Sequence, residues 1–106
     1  MFGFGKKKAN MKWAELVFAQ PMGHPERITE EMLRKATERQ ITRRSEIILE
    51  SADIIRKTKY EDTRRGRIDL CKKHYEYFMQ LKPYADKKQQ ATIRQCEKAM
   101  REIGIL

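Results

Sequence analysis

From Thr29 to Lys57 the chain reads TEEMLRKATERQITRRSEIILESADIIRK, a stretch without proline or glycine. Within it Ile41, Ser45, Ile48, Ala52 and Ile55 are separated by 4, 3, 4 and 3 positions. That spacing keeps five small or apolar side chains on one stripe of a helix, a seam to be packed against something else. Thr29 can accept the first free backbone N–H groups, and Glu30 and Glu31 fall in the first turn, where the helix dipole favours negative charge. Glu30–Arg34, Glu31–Lys35 and Asp53–Lys57 are i, i+4 pairs in the favourable orientation. The whole run as one helix would be about 43 Å long. The alternative is a break near Thr42–Ser45, with Ser45 capping a second piece.

The segments on either side are shorter. In MKWAELVFAQ, Trp13, Leu16, Val17 and Gln20 share one face of a short helix, with a strand through residues 16–19 as the alternative. Such a helix is too short to persist alone, and Pro21-Met-Gly-His-Pro25 ends it. After the turn at Thr58–Glu61 a second long helix is expected from an Asp62 cap to Lys82. One row holds Ile68, Cys71, Tyr75 and Phe78, and its neighbour Leu70, His74, Tyr77 and Leu81. Pro83 stops it. Asp86 with Gln89 forms a capping-box pattern for the last helix, where Ile93, Cys96, Met100 and Ile103 repeat before Gly104 terminates it. Short connections imply antiparallel neighbours. The expected fold is therefore all-α, an antiparallel three-helix bundle with a short extra N-terminal helix. Residues 1–10 are read as a flexible basic tail and residues 11–106 as a single helical domain. The first long helix outruns its neighbours by roughly 12 Å, so Met32, Leu33 and Ala36 need a cover, either the Trp13 segment or a second copy of the chain.

The length of 106 residues suits one domain. A charged fraction of 37% and an apolar fraction of 40% fit neither a disordered chain nor a membrane-spanning one. Net charge is +9, which favours acidic partners. The excess is uneven. Residues 28–61 hold 8 basic and 7 acidic groups, whereas residues 62–82 hold 6 and 3. Cys71 and Cys96 lie on apolar stripes and are read as reduced and buried. The start, MFGFGKKK, reverses the order of a secretory signal and lacks the glycine of a myristoylation site, so a cytoplasmic location is the expectation. Two Phe and three Lys there would give only weak membrane-surface contact.

Charge is densest in RKTKYEDTRRGR, Arg56 to Arg67, at the corner between the two long helices. Arg56, Lys57 and Lys59 fall at a helix C-terminus, where cations are favourable. Arg64, Arg65 and Arg67 fall at the start of the next helix, where they oppose its dipole. Backbone N–H groups and guanidinium forks together suit a phosphate, and Lys72 and Lys73 would extend the patch. The ordinary alternative is pairing with Glu50, Asp53, Glu61 or Asp62. Arg65-Gly66-Arg67 looks like the core of an AT-hook, but that motif is followed by proline in an extended segment, and here Ile68-Asp69-Leu70 continues a helix. A helix-turn-helix reading fails on the length of the first helix. Cys71 and His74, with Cys96 and His24, could be assembled on paper into a zinc set; two apolar stripes with one Cys each are the simpler reading, and neither metal nor other cofactor is expected. No phosphate loop, nucleophile elbow or H-E-x-x-H pattern occurs. Tyr60, Tyr75, Tyr77 and Tyr84 are candidate stacking surfaces for bases.

Thr58, Asp62-Thr63 and Arg67-Ile68-Asp69-Leu70 together resemble helical stretches of bacterial and phage-encoded proteins in which a Thr and an Asp-Thr turn precede an Arg-x-Asp-Leu helix start. The resemblance implies no activity. The sequence thus points to a non-enzymatic helical interaction module. Its expected partner is nucleic acid, or else an acidic protein, bound through Arg56, Lys57, Lys59, Arg64, Arg65, Arg67, Lys72 and Lys73. The competing expectation is a protein–protein or homodimer interface through Trp13, Met32, Leu33 and Ala36.

Overall fold

The computed structural model describes residues 11–18 and 27–106. The expected tail, Gln20, the Pro21–Pro25 breaker and His24 lie outside those residues. Every regular element among the described residues is a helix: α1 (residues 11–17), α2 (Glu30–Lys57), α3 (Glu61–Leu81) and α4 (Lys87–Glu102), with a 3-10 turn at Lys82–Tyr84. No helix among them is long and apolar enough to cross a membrane. The chain divides into two compact units, Met1–Gln40 and Ile41–Leu106.

In the first unit Thr29 caps α2 as its sequence position suggests. Its hydroxyl accepts from Met32 N at 3.1 Å and its carbonyl from Leu33 N at 3.2 Å. The Arg34–Glu30 and Lys35–Glu31 pairs form at 3.5 and 3.4 Å but are exposed, so they contribute a few tenths of a kcal/mol at most. Residues 11–17 are helical, which removes the strand alternative. Trp13, Ala14 and Val17 of α1 and Leu33, Ala36 and Thr37 of α2 are buried. One polar chain runs through this small core. The Trp13 indole Nε1–H donates to Thr37 Oγ1 at 2.7 Å, and the same hydroxyl donates to the Leu33 carbonyl at 2.7 Å. An indole can be buried without desolvation loss only where its N–H finds an acceptor, and Thr37 provides it.

In the second unit all five positions of the α2 seam, Ile41, Ser45, Ile48, Ala52 and Ile55, are buried. The helix passes through residues 42–45 without a break. Ser45 Oγ turns back onto the Thr42 carbonyl at 3.0 Å instead of capping a new helix, as buried serines in helices do. Cys71, Phe78 and Leu81 of α3 and Ile93, Cys96 and Met100 of α4 are buried as well, and Cys71 meets the seam at the Ile48 carbonyl. Contacts between α2 and α3 fall in opposite chain directions: Arg44 with His74, Ile48 with Cys71 and Ser51 with Arg67.

The α2–α3 connection is tighter than expected. Tyr60, not Asp62, occupies the cap position of α3, and no side chain caps it. Thr58 has already formed a turn there, its hydroxyl accepting from Tyr60 N at 3.1 Å, and the Tyr60 carbonyl accepts from Arg64 N at 3.1 Å. Asp62 is left in the first turn beside Glu61, where it complements the dipole. At α4 both halves of the capping box form, Gln89 N to Asp86 Oδ1 at 2.7 Å and Asp86 N to Gln89 Oε1 at 3.0 Å. Gly104 ends it at φ 78, with Ile105 N bonded to the Met100 carbonyl and Gly104 N to that of Arg101. That paired arrangement needs a left-handed residue, and glycine adopts it without strain.

Replacing Thr37 with Val keeps the volume but removes the acceptor under Trp13. The expected cost is about 1–3 kcal/mol, read by urea unfolding followed through the fluorescence of this single tryptophan.

Candidate functional site

The basic corner is built where the C-terminal end of α2 meets the N-terminal end of α3, and the two helix dipoles face it with opposite sign. Arg64 resolves the conflict. Its backbone belongs to the first turn of α3, but its guanidinium reaches back and Nη2 donates to the Thr58 carbonyl at 2.9 Å. The charge therefore sits at the negative end of α2, where a cation is stabilising. Its Nε is buried without a hydrogen-bond partner, a local cost of this geometry. Arg67 also turns inward, Nη1 donating to Ser51 Oγ of α2 at 3.4 Å. Of the acids named as the ordinary alternative partners, Glu61 pairs with Arg65 at 3.8 Å and Asp53 with Lys57 at 3.1 Å, and neither Glu50 nor Asp53 pairs with Arg64 or Arg67 among the described residues.

The rest of the charge faces solvent. Arg56, Lys59, Lys72 and Lys73 are exposed, and no ion pair holds them among the described residues. Lys57 and Arg65 are exposed too, in loose pairs with Asp53 at 3.1 Å and Glu61 at 3.8 Å. Pairs of this kind are easily given up to a stronger anion. Tyr60, at the turn, is 74% exposed.

The interface residues divide similarly. Trp13, Leu33 and Ala36 are buried within the first unit, and Met32 is exposed. The other tyrosines are engaged. The Tyr75 hydroxyl donates to Glu97 Oε2 of α4 at 2.9 Å, and burial first, then Glu97, raise its pKa. Tyr77 lies under the Arg44 guanidinium, 3.6 Å from ring centroid to Cζ.

Arg44 is the residue that sequence reading passed over. It stands beside Ser45 of the seam, half-buried, and its Nη1 lies 2.9 Å from His74 Nδ1. A guanidinium can only donate, so Nδ1 is the acceptor and the imidazole is neutral with its proton on Nε2. Burial is the main reason that His74 binds a proton less readily than usual, and Arg44, Lys73 and Arg43 all act in the same direction. No spacing rule could have joined Arg44 to His74, which are 30 residues apart. Only the face shared by α2 and α3 does so.

Among the described residues no group of three His, Cys, Asp or Glu side chains could hold a metal ion. Cys71 is turned to the Ile48 carbonyl, 3.7 Å from its sulfur. Burial pushes the Cys96 thiol up to about 12, with Cys71 and Glu97 adding to the effect, and burial raises Cys71 as well. At neutral pH neither carries the thiolate that nucleophilic or redox chemistry uses.

No family model, no curated protein and no solved structure matches the chain.

Arg64→Ala is expected to destabilise by about 1–2 kcal/mol, because a charge-assisted bond and its packing go together. Arg65→Ala should stay within about 0.5 kcal/mol. Chemical denaturation of the two variants makes the comparison. His74 supplies a pH signature. The unfolded chain takes up a proton at this ring near pH about 6.5, and the folded chain takes it up only at lower pH. Stability therefore falls as pH drops from about 6.5 towards the lowered value. His74→Gln should flatten that part of the stability profile.

Proposed function

We propose that the chain is a small helical binding module, not an enzyme, that holds nucleic acid through the exposed cations of the α2–α3 corner and the outer side of α3. The observation that carries this reading is the separation of the cations into two sets. Arg64 and Arg67 are spent on the fold, while Arg56, Lys59, Lys72 and Lys73 are exposed and hold no carboxylate among the described residues. Lys57 and Arg65 join them once their loose pairs open. Exposed like charges on a chain of net charge +9 repel one another, and a polyanion converts that repulsion into attraction and counterion release. Tyr60 stands in the same turn as a surface on which an unpaired base can stack.

The scaffold in this reading is an antiparallel three-helix bundle with a short extra N-terminal helix. The opposed order of the α2–α3 contacts and the buried faces of α3 and α4 support it. Self-association is the second reading, favoured by the exposed Met11 and Met32.

Roughly four to six phosphate contacts imply a log K against log salt slope of about −4 to −5 on duplex DNA. Fluorescence anisotropy of a labelled duplex across about 50 to 200 mM salt measures it. Reversing Arg56 and Lys59 to Glu should weaken binding across all sequences alike and make the slope shallower. Absence of binding to DNA or RNA at the lowest salt removes the proposal, and a concentration-dependent dimer in light scattering would favour the second reading.

A further inference from the structure

A second group of cations lies further along the two helices, about the contact of Arg44 with His74. We propose that Arg43, Arg44, Lys73 and His74 form a phosphodiester site at which the oxyanion and a proton on His74 bind together. The inference rests on the nucleic-acid reading above, and Lys73 belongs to both surfaces.

The geometry comes first. Arg44 of α2 donates to His74 Nδ1 of α3 at 2.9 Å, and its Cζ lies over the Tyr77 ring, 3.6 Å from the centroid. Two neighbours, Arg43 on α2 and Lys73 on α3, are exposed. Neither is held in an ion pair among the described residues. The charges acting on the imidazole come from both packed helices, Arg44 and Arg43 from α2 and Lys73 from α3, and each repels a proton. Glu97, the buried acid of α4, is taken by Tyr75.

Three cations that all act against the protonation of one ring are an unfavourable setting for a charged imidazole. The ring escapes by remaining neutral and accepting from Arg44. An oxyanion changes the balance. Its charge cancels the field that opposes protonation, and it offers Arg44 another acceptor. The freed Nδ1 then takes a proton and becomes a further donor to the same group. Proton and anion each raise the affinity of the other, as linkage requires. Several donors on two helices suit a tetrahedral oxyanion with more than one free oxygen, whereas a lone Arg fork already satisfies a carboxylate. A phosphodiester is the member of that class that the neighbouring surface would bring.

The test is anisotropy of a labelled DNA duplex at fixed low salt, between about pH 7.5 and about pH 5.5. The proteins are the full chain and its His74→Gln, Lys73→Gln and Arg43→Gln variants, each checked for helicity. Exposed Lys73 and Arg43 can be replaced without touching the core. The unsubstituted chain should bind about threefold to tenfold more tightly at the lower pH, because proton and anion bind together at one ring. His74→Gln should lose that gain, and Lys73→Gln and Arg43→Gln should reduce it. Equal pH profiles for the chain and its His74→Gln variant overturn the site. If no protein binds DNA at any pH, the nucleic-acid reading fails separately. The site is then decided by the His74 ring resonance in sodium sulfate against sodium chloride at equal ionic strength. A higher titration midpoint in sulfate supports an oxyanion site, and an equal midpoint overturns it.

Discussion

Everything in the second unit depends on the burial of one stripe of α2. Ile41, Ser45, Ile48, Ala52 and Ile55 turn a long polar helix into one with a single dry side. Burying aliphatic side chains there contributes on the order of 1.5–3 kcal/mol each, far more than the exposed i, i+4 pairs along the same helix. The small residues matter as much as the large ones. Ser45 and Ala52 leave space for facing side chains, and Ser51 and the Ile48 carbonyl can then be reached from α3 by Arg67 and Cys71. The first unit uses the same helix differently. There a hydroxyl at Thr37 lets a tryptophan be buried with its N–H satisfied.

Packing also sorts the charges. Arg64 and Arg67 look like surface cations in the sequence, yet Arg64 reaches the Thr58 carbonyl just past the end of α2 and Arg67 the Ser51 hydroxyl within it. A long side chain at the start of one helix can neutralise the end of the one before it, provided that the turn is only a few residues long. Thr58 makes the turn that short by binding the Tyr60 N–H. What is left outside is a smaller basic surface than the composition suggests. Arg44 carries the same logic further. Stacked on Tyr77 and bonded to His74, it helps to pack the α2–α3 face and at the same time places positive charge beside a titratable ring.

Much of the architecture was legible because its signals are local. The Thr29 cap, the Asp86–Gln89 box, the stop at Pro83 and the left-handed Gly104 each depend on a few consecutive backbone groups, and the sequence names the residues that satisfy them. The 4, 3, 4, 3 seam was legible because helical periodicity projects burial onto spacing. The start of α3 was read two residues late, since Asp62 is a better cap than Tyr60 in isolation; the Tyr60 carbonyl already accepts from Arg64 N and begins the helix ahead of Asp62. The candidate site was legible as a density of charge but not as a set of directions. Which cations point inward depends on acceptors 6 and 16 positions away, and no pattern in a single sequence encodes that reach.

The sequence by itself therefore determined that the chain is helical, where its helices stop, which stripe of α2 is dry and that cations exceed acids after Asp62. Periodicity, caps and charge are properties of short windows, and short windows are what a sequence displays. The tertiary structure decided which arginines belong to the fold, that burial and the contact with Arg44 disfavour a proton on His74, and that Arg43 and Lys73 act on that ring in the same direction. Those facts arise where α2 and α3 come within hydrogen-bonding distance, and the cost of bringing like charges together appears only once they share a face.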